Sequence, residues 1–279
     1  MKTTFTVLVL LLMFVSHGIS QDKPPKKDQD RKGTFYMYWG WNYGWYTNSD
    51  IHFKGDQYDF TLYDVEANDR QSPFGWDPYF KINQITIPQY NFRLGYFFNN
   101  NYSLSIGVDH MKYVMVEYQT VKISGSIDTS YSSLYGGTYD NDDIVVANSL
   151  LTYEHTDGLN YLNIELRRHD EIYKYKNIGI NVSEGFGAGL LMPKTNAMFM
   201  GNKRYDEFHV AGFGLGAVVA LNVTFWKYVF IQGEFKAGYI NMPDVRITSS
   251  KADKASQSFW FTELMGVIGV KYNFSANKK

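Results

Sequence analysis

The chain has 279 residues, with 27 Lys and Arg against 28 Asp and Glu, and a formal net charge of −1, so it carries no basic footprint for nucleic acid. It has no Cys, which excludes a disulfide framework, a thiolate zinc site, a cysteine nucleophile and a lipid-modified cysteine. Aromatic residues make up 18% of it (23 Tyr, 20 Phe and 6 Trp), and with 24 Gly against 7 Pro this composition favours strands over helices.

The first element in chain order is an address. Lys2 supplies a positive start, Phe5 to Val15 an apolar core broken only by Thr6, and Gly18 and Ser20 the small residues of a cleavage site. Residues 1–20 therefore read as a secretory signal peptide. The polar stretch 21–32, QDKPPKKDQDRK, reads as a flexible leader outside the fold. No later segment has about 18 consecutive apolar residues, so no transmembrane helix is expected. A membrane β-strand carries a much weaker signal per segment and is not excluded.

From Gly33 onward the period is two. Phe35, Met37, Trp39 and Trp41 alternate with Tyr36, Tyr38, Gly40 and Asn42. The stretch 49–80 carries its own alternating piece, Tyr58 to Val65, which reads either as a hairpin above a membrane or as two further strands. Tyr90, Phe92, Leu94, Tyr96 and Phe98 then oppose Gln89, Asn91, Arg93 and Gly95. After the turn Asn99–Asn101, Tyr102, Leu104, Ile106 and Val108 oppose Ser103, Ser105, Gly107 and Asp109. The stretch Ser124 to Asn141 reads as a solvated loop. Four more alternating runs follow around Leu162–Arg167, Ile178–Leu190, Ala211–Leu221 and Val229–Tyr239, and a last one around Glu263–Phe274. This pattern predicts about eight strands, with ten possible. Their links alternate, short near 99–101, 169–176 and 222–227, long near 47–84, 116–152, 193–207 and 243–258. Short turns at one end and long loops at the other describe a single antiparallel up-and-down transmembrane β-barrel, all-β, over 33–274, followed by a tail at 275–279.

The polar faces of these strands carry Arg93, Asp109, Glu165, Arg167, Glu234, Lys236 and Glu263 among small residues. An eight-stranded barrel has an interior that side chains just fill, so these seven are expected to form a closed, ion-paired lumen network. Glu184 falls on the apolar face of its strand, and a bulge at 183–185 is expected to turn it inward. Trp39, Trp41, Trp45, Tyr46, Trp226, Tyr228, Tyr239, Trp260 and Tyr272 lie toward strand ends and read as interfacial girdles.

The signal, the alternating strands, the aromatic-rich faces and the final Tyr272-Asn273-Phe274 resemble small outer-membrane β-barrel proteins of Gram-negative bacteria, with the OmpA-type eight-stranded architecture. That resemblance implies the outer membrane as location. It implies outer-membrane lipid (lipid A and phospholipid) and the barrel assembly machinery as partners, with a further protein partner or ligand possible at the extracellular loops. Five residues follow Phe274, where the class has its aromatic assembly signal near the C-terminus.

Histidines mark the outer rim. Asp109-His110 lies toward the outer end of one strand, and Glu154-His155-Thr156-Asp157-Gly158 at the outer start of the next, so the two histidines are expected to approach each other, with His209 as a third candidate. His155-Thr156-Asp157-Gly158 also resembles the His-x-Ser-Asn element of the lipid A deacylase family and the outer-membrane phospholipases, with Asp157 where that family has its nucleophilic serine. The leading reading assigns no catalytic residue, metal or cofactor, and gives the barrel a structural or surface-interaction role. Two alternatives stay open: an acyl hydrolase for lipid A or phospholipid using His110, His155, Asp109 and Asp157, and a narrow small-solute channel.

Overall fold

The computed structural model describes residues 31–202 and 207–274. The signal, most of the leader and the tail 275–279 lie outside the described residues. The strands in chain order are β1 (Thr34–Tyr46), β2 (Ser49–Gly55), β3 (Tyr58–Val65) and the two-residue β4 (Ala67–Asn68). One helical turn, α1 (Trp76–Tyr79), precedes β5 (Tyr90–Phe97), β6 (Tyr102–Met115), β7 (Thr120–Ile127) and β8 (Gly137–Val145). Then come β9 (Leu151–Tyr175), β10 (Ile178–Pro193), β11 (Asn196–Phe199), β12 (Gly212–Phe225), β13 (Val229–Arg246) and β14 (Lys254–Asn273).

Eight of these strands close a ring in the order β1-β5-β6-β9-β10-β12-β13-β14, and β14 returns to β1 through an unbroken antiparallel ladder from Thr34↔Asn273 to Tyr46↔Phe261. The count is eight, not ten. Closure removes the free edges that an open sheet would expose. The turns at one end are tight. Trp226 and Lys227 have φ of 49° and 69°, the left-handed pair that a two-residue hairpin turn demands. At the other end the wall does not stop at loops. The outer part of β14 pairs with β2, which pairs with β3, then β7, then β8, while β4 and β11 flank the outer parts of β6 and β9. Tyr58–Val65 is thus one arm of a hairpin above the ring. The expected loop Ser124–Asn141 instead holds the ends of two paired strands.

Within the ring, apolar side chains point outward and polar ones inward. In the extension the polarity reverses. Ile51, Phe53, Phe60, Leu62, Met111, Tyr113, Tyr153, Phe199 and Phe259 point inward and form one buried cluster. Phe53 stacks on Phe60 at 5.2 Å and on Phe199 at 5.5 Å. The reversal follows from the solvent. Lipid surrounds the ring, so its outer face is the apolar one; water surrounds the extension, so its apolar face turns in.

Three expectations are corrected here. Glu184 is exposed on the outer face, and no bulge falls at 183–185; the register slip lies between Ile180 and Asn181. Its place directly opposite Arg168 on β9 supplies an opposite charge on the same face, which a ladder favours. Tyr46 leaves the girdle: it turns inward, its hydroxyl donating to Lys112 O at 2.7 Å and its ring packing on Tyr113 and Phe259. Arg31, read as leader, is buried at the short-turn end, where it donates to His169 O at 3.1 Å and Asn181 Oδ1 at 3.0 Å.

Candidate functional site

The lumen is built from alternate residues of the ring strands, which the two-residue period aims at the axis. Arg93 on β5 reaches Glu165 Oε1 at 3.0 Å and Asp109 at 3.6 Å. Arg167, on β9 beside Glu165, donates to Glu165 Oε2 through Nε at 2.7 Å. It also grips both oxygens of Glu234 on β13, at 3.0 and 2.8 Å. That bidentate fork spans the lumen, since β10 and β12 separate β9 from β13 in the ring. Lys236, two residues on from Glu234, is held by Asp109 and lies 2.8 Å from Glu165. These six side chains are all at most 2% exposed.

Neutral groups complete the cluster, and the sequence reading had not singled them out. The Tyr38 hydroxyl accepts from Arg93 Nε at 2.9 Å and from Arg167 at 3.2 Å. Asn163 accepts from Arg93 at 2.8 Å and donates to Asp109 at 2.9 Å. Asn91 donates to Asp109 at 2.8 Å. Their signal was parity: each lies on the polar face of a strand already read as alternating.

Glu263 stands apart from its six companions. It faces the lumen fully buried and opposite Lys236 in the ladder, and among the described residues no cation lies within ion-pair distance of it, Lys236 acting on it only from further off. The cluster thus holds three cations and four carboxylates.

The rim histidines do not come together. His110 lies on the outer face of β6, stacked on Tyr90 at 4.8 Å, with Nδ1 2.8 Å from Asn160 Oδ1. His155 lies on the inner face of β9, in the core of the extension, with Nδ1 2.9 Å from Thr195 Oγ1 and the rings of Tyr113 and Tyr153 around it. The wall separates them. The reason is parity: His110 pairs with Asn160, and His155, an odd number of residues further along β9, points to the other face; the bulge, where residues 156–158 stand against Lys112 alone, adds two residues and leaves that parity unchanged. Gly158 sits there at φ 120°, in a conformation that L side chains rarely adopt. The bulge leaves Asp157 exposed beside Lys194 at 3.0 Å, while Asp109 stays inside with Lys236. His209 contacts Asp244 O at 2.7 Å. No nucleophile, histidine and acid line up among the four residues of the hydrolase alternative. Among the described residues, no group of three His, Cys, Asp and Glu side chains is placed to hold a metal ion. Burial, reinforced by His209, holds the His155 imidazole down at about 3, so it is neutral at pH 7.

Outside the ring, Met37, Leu94, Leu104, Ile106, Ile164, Leu215, Ile231, Leu264, Ile268 and Val270 are exposed together in one apolar belt. Trp45, Tyr43 and Trp260 border it at the extension end, and Trp226, Tyr228 and Tyr272 at the short-turn end. Only lipid covers such a surface. The chain is a transmembrane β-barrel. No protein-family model matches it, and no curated protein matches it. Solved structures with a similar course include Ail of Yersinia pestis at 12% identity and TM-score 0.32, covering 86% of this chain and 99% of that one. OprG of Pseudomonas aeruginosa has 9% identity and TM-score 0.36, over 89% and 100% of the two chains. The outer-membrane protease OmpT of Escherichia coli has 11% and 0.33, over 91% and 99%. At this level the fold stands on the chain's own register and face pattern.

Proposed function

We propose that this barrel is a closed integral surface protein, with a structural or surface-interaction role carried by its extracellular extension. One observation supports this reading most directly: large buried side chains occupy both halves of the interior, with a small cavity between Tyr36, Arg167, His169 and Gln232 left at the short-turn end. The paired charges occupy the membrane half, and the aromatic core around Phe53, Phe60 and Phe199 occupies the outer half. A filled barrel transmits little, so its working surface is outside. There the β7–β8 hairpin ends the sheet, with Asp140, Asp142 and Asp143 exposed along β8, which among the described residues pairs with β7 alone. Charges of this kind also guard a free edge against unwanted strand addition. Protein partners or ligands would therefore meet side chains of the extension rather than its backbone.

The hydrolase alternative is tested directly. Folded protein is incubated with lipid A and phospholipid, with His110→Ala and His155→Ala variants alongside, and the lipids are read by mass spectrometry. Unchanged lipid in every sample is expected. Loss of an acyl chain that disappears in either variant would overturn the proposal.

A further inference from the structure

The wall has one irregular place. The β1–β5 ladder ends at Trp41↔Tyr90, whereas β1 runs on to Tyr46. Along that last stretch, side chains from the segment between β4 and β5 take the place of a neighbouring strand. Asp69 Oδ2 accepts from Gly44 N at 2.8 Å, and Gln71 Nε2 donates to Asn42 O at 2.8 Å. At the other end of the segment Lys112 Nζ donates to Ile87 O at 3.0 Å, and Pro88 and Gln89 are buried. Both ends are rooted in the wall.

Between the roots the segment turns its large apolar side chains outward. Ile82 is 90% exposed, Phe74 81% and Trp76 76%. A water-facing loop seldom gathers such side chains on one short stretch. Their position shows what they face. Trp41, on the lipid-facing side of β1, packs against Tyr79 at 5.6 Å and Phe80 at 5.5 Å, and Phe80 stacks on Trp76 at 5.5 Å. Trp39 stacks on Tyr90 at 4.6 Å just below. The aromatic belt of the barrel thus passes onto the segment without a break. The charges on the segment are matched there, Lys81 to Asp77 at 2.5 Å.

We propose that residues 72–88 form a membrane-dipping collar, rooted by Asp69 and Gln71, whose Phe74, Trp76 and Ile82 enter the outer-leaflet interface among lipid chains. Continuity with the lipid-facing belt names the occupant as lipid. Aromatic and aliphatic side chains beside a matched ion pair suit the boundary between headgroups and acyl chains. The collar thickens the barrel on the β1–β5 side only and holds the extension at a fixed height above the bilayer. The inference stands independently of the closed-lumen proposal.

The chain has no Cys, so a single introduced one can be labelled uniquely. A nitroxide is placed on Ile82→Cys, with Phe74→Cys as a second site, in protein reconstituted into phosphatidylcholine–phosphatidylglycerol vesicles. Heat-modifiable migration confirms that each variant is folded. Leu215→Cys, in the lipid-facing belt, and Lys251→Cys, on the exposed β13–β14 connection, are the references. Accessibility to oxygen and to a water-soluble nickel complex is read by electron paramagnetic resonance. The expected result is an oxygen-to-nickel ratio shifted to that of the Leu215 label. A ratio equal to that of the Lys251 label would overturn the proposal. So would shielding from both reagents, which would mean that protein covers the segment.

Discussion

Arg167 and Glu263 show how differently two buried charges can stand in one lumen. Arg167 joins Glu165 on its own strand to Glu234 across the barrel; Glu165 keeps Arg93 and Lys236 when it is removed, but Glu234 loses its ion-pair partner while buried. Breaking such a pair on one side typically costs about 3–5 kcal/mol. Arg167→Met is therefore expected to lower stability by about that amount in urea titrations of the vesicle-embedded protein. Glu263 has no cation within ion-pair distance among the described residues, so Glu263→Gln removes a buried charge that is only weakly compensated and is expected to leave stability unchanged or raise it. A Glu263→Gln loss as large as that of Arg167→Met would mean that Glu263 is paired. The inward direction of all seven charges was legible in the sequence, because they alternate with apolar residues. Their partners were not, because pairing depends on strand register and tilt, and alternation specifies neither.

At the scale of elements, the ring strands were legible and the extension was not. The apolar parity changes where a strand leaves the membrane. On β6 it runs through 104, 106 and 108 facing out, then through 111, 113 and 115 facing in. On β9 it runs through 153, 159 and 161 facing in, then 162, 164 and 166 facing out. A reader following one parity stops at the change and takes the remainder for loop. β8, with its polar sequence GTYDNDDIV, offers no apolar period at all. The histidine pair failed on parity: His110 shares the outward face of Val108, whereas His155 has the opposite parity to outward-facing Leu162, so the two strands aim them to opposite sides of the wall.

The same buried position of His155 makes the extension sensitive to acid. Its folded value of about 3 lies below the ordinary 6.5, so between those values the unfolded chain binds the extra proton. The contribution is fully present above about pH 6.5 and is lost as pH falls toward 3. Proteolysis of the extension in intact vesicles is expected to accelerate between pH 7 and 5, and His155→Gln to flatten that change. An identical pH response in the variant would assign it to other groups.

For the whole molecule, the alternating short and long links already implied a barrel with its turns at one end and its large connections at the other. The ring of eight, the apolar belt and the aromatic borders agree with that reading. What the link lengths could not convey is that the long connections fold back on the strands as a second, water-surrounded layer with its own core. The proposed closure of the barrel rests on the two fillings of its interior, ionic below and aromatic above. The most direct test is planar-bilayer recording of the purified wild-type protein. The expected record stays at the baseline of the bare membrane. Steady, large openings would contradict the closed barrel.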